Sequence, residues 1–341
     1  MKNFLVIISL VFLGIGLTSC GGNKKTDEKK TVVSDSISPA IAALNAKIKA
    51  NPGNAELYNQ RALLLVDALK LDDALADIRT ALNIDSTQAP YFLTLSDVYF
   101  AMGKIKNCKR SIEKTMALDP NYADADLKYA ELNFYLNEYK TTLEYIDKAL
   151  KIDKINAKAY FMKGTTYKYM GDTAKAVVCF QTAVDQYPEY YNAYMQLGLL
   201  YSLKKNPMAI DYFNNAIKQN AKSIEARYGI AMFYQENGQY DNAIIEYDTI
   251  LRINPKYKYA HFNLGYIHLA YLGVYSQAVK HFTNAIACDT NYFEAYFNRG
   301  LSYEKMGAVL NARDDYKKAL SLHSNYGKAI DGLNRVDKLI K

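Results

Sequence analysis

Two of the chain's four histidines, His261 and His268, stand seven residues apart in the stretch AHFNLGYIHLAY, Ala260 to Tyr271. Imidazoles supply metal ligands and general bases, so this pair is the first place to look for chemistry. On a helix, seven residues separate the rings by roughly 10.5 Å, too far to share a metal whose bonds are about 2 Å long. His281 falls on the partner helix, where it can approach one of the two rings, and His323 lies further on. Adjacent carboxylates at Asp72-Asp73 and Asp314-Asp315 are expected at helix starts, where they favour the dipole and do not face each other. Cys108, Cys179 and Cys288 are far apart and imply no disulfide framework; each reads as a small buried hydrophobe. With no glycine-rich phosphate loop, nucleophile elbow or cysteine–histidine arrangement, the sequence reads as non-catalytic, with no cofactor and no metal.

The elements that must hold these residues come from a repeat. From Ala55 onward the chain repeats at 34 residues, most clearly in AKAYFMKGTTYKYMGDTAKAVVCFQTAVDQYPEY, Ala157 to Tyr190. Small residues recur at position eight (Ala62, Ser96, Ala130, Gly164, Gly198, Ala231, Gly265, Gly300), where two helices must cross closely. Position 20 repeats the demand with Ala74, Cys108, Thr142, Ala176, Ala209, Ala243, Ala278 and Ala312, and position 27 is small in most units. Bulky residues fill position eleven, among them Tyr99, Tyr167, Tyr201, Tyr234 and Tyr303. These spacings resemble the tetratricopeptide repeat, a helix–turn–helix unit that stacks into a right-handed superhelix.

The resemblance implies an all-α, right-handed superhelical solenoid of about eight units: 55–88, 89–122, 123–156, 157–190, 191–223, 224–257, 258–292 and 293–326. The fifth unit is one residue short and the seventh one long, and Asn206-Pro207 is expected to open the fifth unit's second helix. Residues 39–54 read as a half-unit before the array. Residues 327–341 read as a capping helix, with Ala329, Leu333, Val336 and Ile340 on one stripe and charged residues opposite. In this register His261 and His268 occupy positions four and eleven, core-facing slots that hold Tyr160 and Tyr167 in the fourth unit.

Residues 1–19 read as a targeting segment: Lys2 precedes an apolar run, Phe4 to Leu17, shorter than the roughly 20 residues a spanning helix needs. The run ends in Leu17-Thr18-Ser19-Cys20-Gly21-Gly22, which resembles the lipobox of bacterial lipoproteins, in which the cysteine is lipidated. Cys20 is therefore expected to carry a lipid anchor. Residues 20–38 form a glycine-, charge- and serine-rich stretch that reads as a flexible tether, about 23 Å in mean span. The chain carries 31 tyrosines, 13 phenylalanines and no tryptophan, and its net charge of +7 comes from scattered lysines. No basic face gathers, which excludes nucleic acid as the partner.

In the tetratricopeptide family, positions 2, 5, 9 and 12 of the first helix line a concave groove where partners bind. Carried over, the seventh unit gives Tyr259, Phe262, Tyr266 and Leu269; its neighbours give Tyr228 and Met232, then Phe297 and Leu301. Earlier units give Phe134, Phe161, Met195 and Leu199. Such side chains either fill gaps between successive first helices or anchor an interface, and the sequence leaves both readings open. Some family members bind C-terminal carboxylates through a clamp of two lysines, an asparagine and an arginine. Here Asn59 and Lys158 stand isolated, so that set is missing. Anchor plus repeats is similar in plan to lipoprotein subunits of outer-membrane assembly, secretion and pilus-biogenesis machines. The expected function is a membrane-anchored adaptor holding other envelope proteins or peptide segments, on the outer membrane facing the periplasm. The alternative is a glycan-capture lipoprotein that stacks sugars on groove aromatics; the near absence of insertions and the lack of tryptophan speak against it.

Overall fold

The computed structural model describes residues 38–340; the targeting segment, Cys20 and the tether as far as residue 37 lie outside the described residues. Every described element is helical. A single helix, α1 (Pro39–Ala50), is followed by helix pairs α2 (Ala55–Asp67) with α3 (Leu71–Ile84), and α4 (Ala89–Ala101) with α5 (Ile105–Leu118). Then come α6 (Ala123–Tyr135) with α7 (Tyr139–Ile152), and α8 (Ala157–Tyr169) with α9 (Thr173–Gln186). Next are α10 (Tyr191–Leu203) with α11 (Met208–Gln219), and α12 (Ile224–Glu236) with α13 (Tyr240–Ile253). The last pairs are α14 (Lys258–Ile267) with α15 (Tyr275–Cys288), and α16 (Phe293–Lys305) with α17 (Val309–Leu322), closed by α18 (Gly327–Ile340). Each first helix packs along its own second helix, and each second helix packs onto the next first helix. The result is a solenoid with a core assembled from neighbours only.

Two steric requirements set the pairing. The first is the turn between the two helices of a unit, where position 15 or its equivalent adopts left-handed φ: Leu69, Gly103, Asn137, Gly171, Lys205, Gly238, Gly273 and Gly307. The following N–H then donates back to the carbonyl of position eleven, as Asp172 does to Tyr167 (2.9 Å) and Ala308 to Tyr303 (2.9 Å). Glycine adopts this conformation freely, whereas Leu69 and Lys205 adopt it at a cost of about 1–2 kcal/mol each. The second is the close approach at position eight. A Cβ on Gly164 would lie 2.9 Å from Phe180, and one on Gly198 would lie 2.6 Å from Phe213. The ring from the second helix lies flat against the missing side chain.

The extra residue of the seventh unit is absorbed as a π-helical turn, His268–Leu272, which carries α14 on to Gly273. Val274 N–H still donates to His268 O (2.9 Å), so the bulge lengthens the first helix and leaves the turn intact. In the shortened fifth unit, Asn206 Oδ1 accepts from Met208 N–H (3.0 Å), and α11 opens at Met208, one residue beyond Pro207.

Two expectations need correction. Asp72-Asp73 lie in the first turn of α3, but Asp314-Asp315 sit inside α17, which opens at Val309. Asp315 is buried there and accepts a bidentate pair from Arg299 at 2.7 and 2.7 Å. Arg61 and Asp77 form the same pair in the first unit, at 2.6 and 2.6 Å. Planar guanidinium–carboxylate pairs of this kind fix the angle between two helices. On α18, Ala329 and Val336 are buried and Leu333 packs against the last unit, but Ile340 is exposed. Cys108 is buried in a packed cluster, Cys179 is buried, and Cys288 is half-buried. Burial pushes the Cys108 thiol up to about 12, which leaves it without nucleophilic character.

Candidate partner-binding groove

Successive first helices touch one another along one side of the solenoid: α2 on α4, α4 on α6, α6 on α8, α10 on α12, and α16 on α18. That side is the concave wall.

Position five is not free surface on this wall. Phe161 lies 5.4 Å from Phe180 and 5.1 Å from Tyr190, ring centre to ring centre. Tyr228 lies 6.0 Å from Tyr247 and 6.0 Å from Tyr257. Phe262 edges onto Phe282 at 5.6 Å and stacks on Tyr292 at 5.0 Å. Phe297 stands 5.8 Å from Tyr316 and 5.2 Å from Tyr326. In four units, therefore, the position-five ring is held between a ring of the second helix and a tyrosine that ends the unit. Offset and edge-on contacts of this kind add to the area they bury. Phe161 and Phe297 are buried outright. Met195 packs beside Phe213, and Leu301 packs against the clusters around Phe282 and Tyr316.

Polar side chains pin the same wall between the sixth and seventh units. Asn263 donates to Tyr247 Oη (2.9 Å) and Tyr228 Oη (3.1 Å), and Tyr247 donates on to Gln235 (2.9 Å), with Met232 Sδ 3.2 Å from the same hydroxyl. Burial drives the Tyr247 phenol well above its ordinary range, so it remains a donor at all physiological pH. Asn263→Leu is expected to cost about 1 kcal/mol, read as a lower thermal midpoint. An unchanged midpoint would show that the phenols find other partners.

The groove positions left open include Leu199 (37 % exposed) on the fifth unit and Tyr259 (45 %) and Tyr266 (36 %) on the seventh. Tyr266 edges onto Tyr271 at 5.8 Å, and Tyr271 in turn stacks on Tyr240 at 4.2 Å. Tyr259 contacts Tyr257 at 5.6 Å. A second open aromatic surface, not anticipated from the repeat positions, spans the second to fourth units. There Tyr135 (63 % exposed) packs on Phe100, and Tyr169 (55 % exposed) packs on Phe134. Both tyrosines stand at position 13, one residue past the last groove position taken from the family, so the repeat register did not flag them. Between the second and third units Lys128 bridges Asp97 (2.7 Å) and Glu131 (2.6 Å). Burial works against its charge, but the two carboxylates outweigh burial and hold its pKa above the ordinary lysine value.

The histidines come together more than the sequence implied. His281 faces both rings: it is 6.0 Å from His261 and stacks on His268 at 5.5 Å with planes 9° apart. His261 is buried, with Nε2 3.1 Å from Pro255 O, which makes Nε2 the donor and Nδ1 the unprotonated nitrogen. His323 lies elsewhere, stacked on Phe293 at 4.7 Å. Among the described residues no group of three or more histidine, cysteine or acidic side chains is placed to hold a metal, and no helix is long and apolar enough to cross a membrane.

Comparison with known proteins agrees with this architecture. Tetratricopeptide repeat models match residues 89–122, 157–190 and 293–326 and residues 200–264, and a TPR repeat model matches 268–307. Together these matches span more than half of the chain. Tetratricopeptide repeat protein 6 of Homo sapiens is 25 % identical over 288 residues, 82 % of this chain and 55 % of that protein. TPR repeat-containing protein MJ1428 of Methanocaldococcus jannaschii is 22 % identical over 249 residues, 68 % of this chain and 44 % of that protein. The chain thus spans about half the length of these two relatives. Among solved structures, a tetratricopeptide repeat protein from Parabacteroides merdae superposes with a TM-score of 0.50 at 20 % identity, covering 73 % of this chain and 98 % of that one. Pseudomonas aeruginosa pilF superposes with a TM-score of 0.52 at 16 % identity, covering 59 % of this chain and 92 % of that one. Both likenesses are of fold. The chain belongs to the tetratricopeptide repeat family.

Proposed function

We propose that the chain is a non-catalytic, lipid-anchored scaffold of the bacterial cell envelope that holds partner proteins along its concave wall. The observation that carries the scaffold reading is the state of Tyr259 and Tyr266. They stand on the wall of first helices with more than a third of their surface open, while rings one position away are consumed in packing. Tyrosines placed in this way supply large, rigid contact area at low entropic cost. The anchor and the envelope location rest on Cys20 directly after the apolar run, and on the glycine rather than an acidic residue that follows it. These suggest a chain tethered to the outer membrane and reaching into the periplasm.

The test is photocrosslinking in cells from a reporter placed beside Tyr266, followed by identification of what is captured. Tyr259→Ala with Tyr266→Ala is expected to reduce capture severalfold while leaving the helical signal unchanged, because neither ring is part of the core. Phe262→Ala is unsuitable for this purpose, since it unpacks two aromatic neighbours. Capture that is indifferent to both tyrosines counts against the groove. Labelling with a radioactive fatty acid tests the anchor independently: label is expected on the wild type and lost in Cys20→Ala, and an unlabelled wild type removes the anchor.

A further inference from the structure

From the fourth unit on, the second helix presents tyrosine or phenylalanine at position 24 or its equivalent, where the first three units have Ile78, Ile112 and Ile146, and the residue at position 12 changes with it. In the sixth unit Tyr247 donates to Gln235 (2.9 Å). In the eighth, Tyr316 donates to Glu304, which Arg335 also holds at 2.8 and 3.0 Å. In the fourth unit position 24 is Phe180, with no hydroxyl to offer, yet position 12 is polar and charged: Lys168. Its ammonium reaches across to Gln196 Oε1 on the next first helix at 2.7 Å, a neutral partner. Burial lowers its pKa. A half-buried cation is normally compensated by an anion, and among the described residues none is paired with Lys168.

The surroundings are as specific as the charge. Lys168 Nζ lies 5.7 Å from the centre of the Tyr169 ring, and Tyr169 meets Phe134 edge-on at 5.2 Å. Tyr139 completes the group, 5.7 Å from Phe134 and 6.3 Å from Tyr169. One unpaired cation thus sits at the end of a partly open aromatic surface. We propose that Lys168 and this three-ring cluster anchor an acidic, extended peptide segment of a partner protein. A glutamate or aspartate side chain would lie on the ammonium, and an adjacent aromatic or aliphatic residue on the rings. A nucleic acid fits less well, because a phosphate backbone is held by several cations in a row and Lys168 stands alone here. This deepens the concave-wall reading and rests on it.

The test is selection of a random dodecapeptide phage library on the immobilised full chain, then fluorescence anisotropy with the enriched peptides. Enriched sequences are expected to pair an acidic residue with an aromatic or aliphatic neighbour. Lys168→Gln should weaken them on the order of tenfold, the scale of one charge-assisted contact. Replacing the peptide's acidic residue by its amide should do the same, and the two changes together should cost little more than either. Lys168→Gln leaves the packed core untouched, and an unchanged thermal midpoint verifies that. Enrichment with no acidic preference, affinity indifferent to Lys168→Gln, or Lys168-dependent binding of a single-stranded oligonucleotide in place of peptide overturns the proposal. Peptides that ignore Lys168 but are lost in Tyr259→Ala with Tyr266→Ala keep the groove and remove this anchor. A library that enriches nothing removes both.

Discussion

Phe213→Ala is expected to destabilise the chain by about 3–5 kcal/mol and to split its urea unfolding into two transitions. The Phe213 ring is fully buried between two glycines: a Cβ on Gly198 would lie 2.6 Å from it, and a Cβ on Gly229, on the next unit, also 2.6 Å. It is therefore the wedge that joins the fifth unit to the sixth. In a solenoid, stability is a sum of unit terms and nearest-neighbour interface terms, so removing one wedge weakens one joint and lets each side melt separately. A companion change separates this account from a generic core loss. Gly→Ala inside a helix usually stabilises by about 1 kcal/mol, but Gly229→Ala drives its new methyl into the ring and should destabilise by about 1–3 kcal/mol. In a Phe213→Leu background, where the smaller side chain vacates that space, Gly229→Ala should become neutral or stabilising. A Gly229→Ala that stabilises the wild-type chain would show that the ring moves aside freely.

The same wedge shows what the sequence could and could not disclose. Position eight is legible because the demand for a small side chain is steric and recurs: Gly164, Gly198, Gly265 and Gly300 all face a ring of their own second helix. The all-helical solenoid follows from that recurrence. Position five was ambiguous because its partners stand on two other segments. The signal that resolves it was nevertheless in the chain, in the tyrosines that end units, Tyr190, Tyr257, Tyr292 and Tyr326. Each closes over the position-five ring of its own unit and turns a candidate groove residue into core. Tyr135 and Tyr169 went unread for the opposite reason: the repeat asks for nothing at position 13, so nothing marked them. The carboxylate Asp315 was misplaced at a helix start because its partner, Arg299, stands 16 residues earlier, beyond the reach of local dipole arguments. The seventh unit's extra residue could be counted but not placed. Its position follows from the requirement that Gly273 still take the left-handed turn.

Acidification should loosen the seventh unit, and His281 is the reason. Its ring is enclosed by α14 and α15 between His261 and His268. Burial first, then the neighbouring His268 and His261 and the Lys280 charge, push it down to about 4. Burial lowers His261 and His268 as well, partly opposed for both by Asp248 on α13 and for His261 also by its bond to Pro255. The unfolded chain titrates near 6.5, so between about 6.5 and 4 it binds protons that the folded chain refuses. Stability therefore rises with pH across that window. It is fully present above about 6.5 and is lost progressively as the pH falls towards 4. A displacement of this size corresponds to about 3 kcal/mol once complete, discounted to about 2 kcal/mol because the ring retains some solvent contact. The measurement is the urea midpoint at pH 7.5, 6 and 5, for the wild type and for His281→Phe, which keeps a ring in the stack and removes the titration. The wild type should lose stability over this range faster than the variant. Carboxylates titrate mostly below the range and are common to both, so they drop out of the comparison. Parallel curves would mean that the three imidazoles accept protons in the folded chain as readily as in water, and that they pack more loosely than their distances indicate.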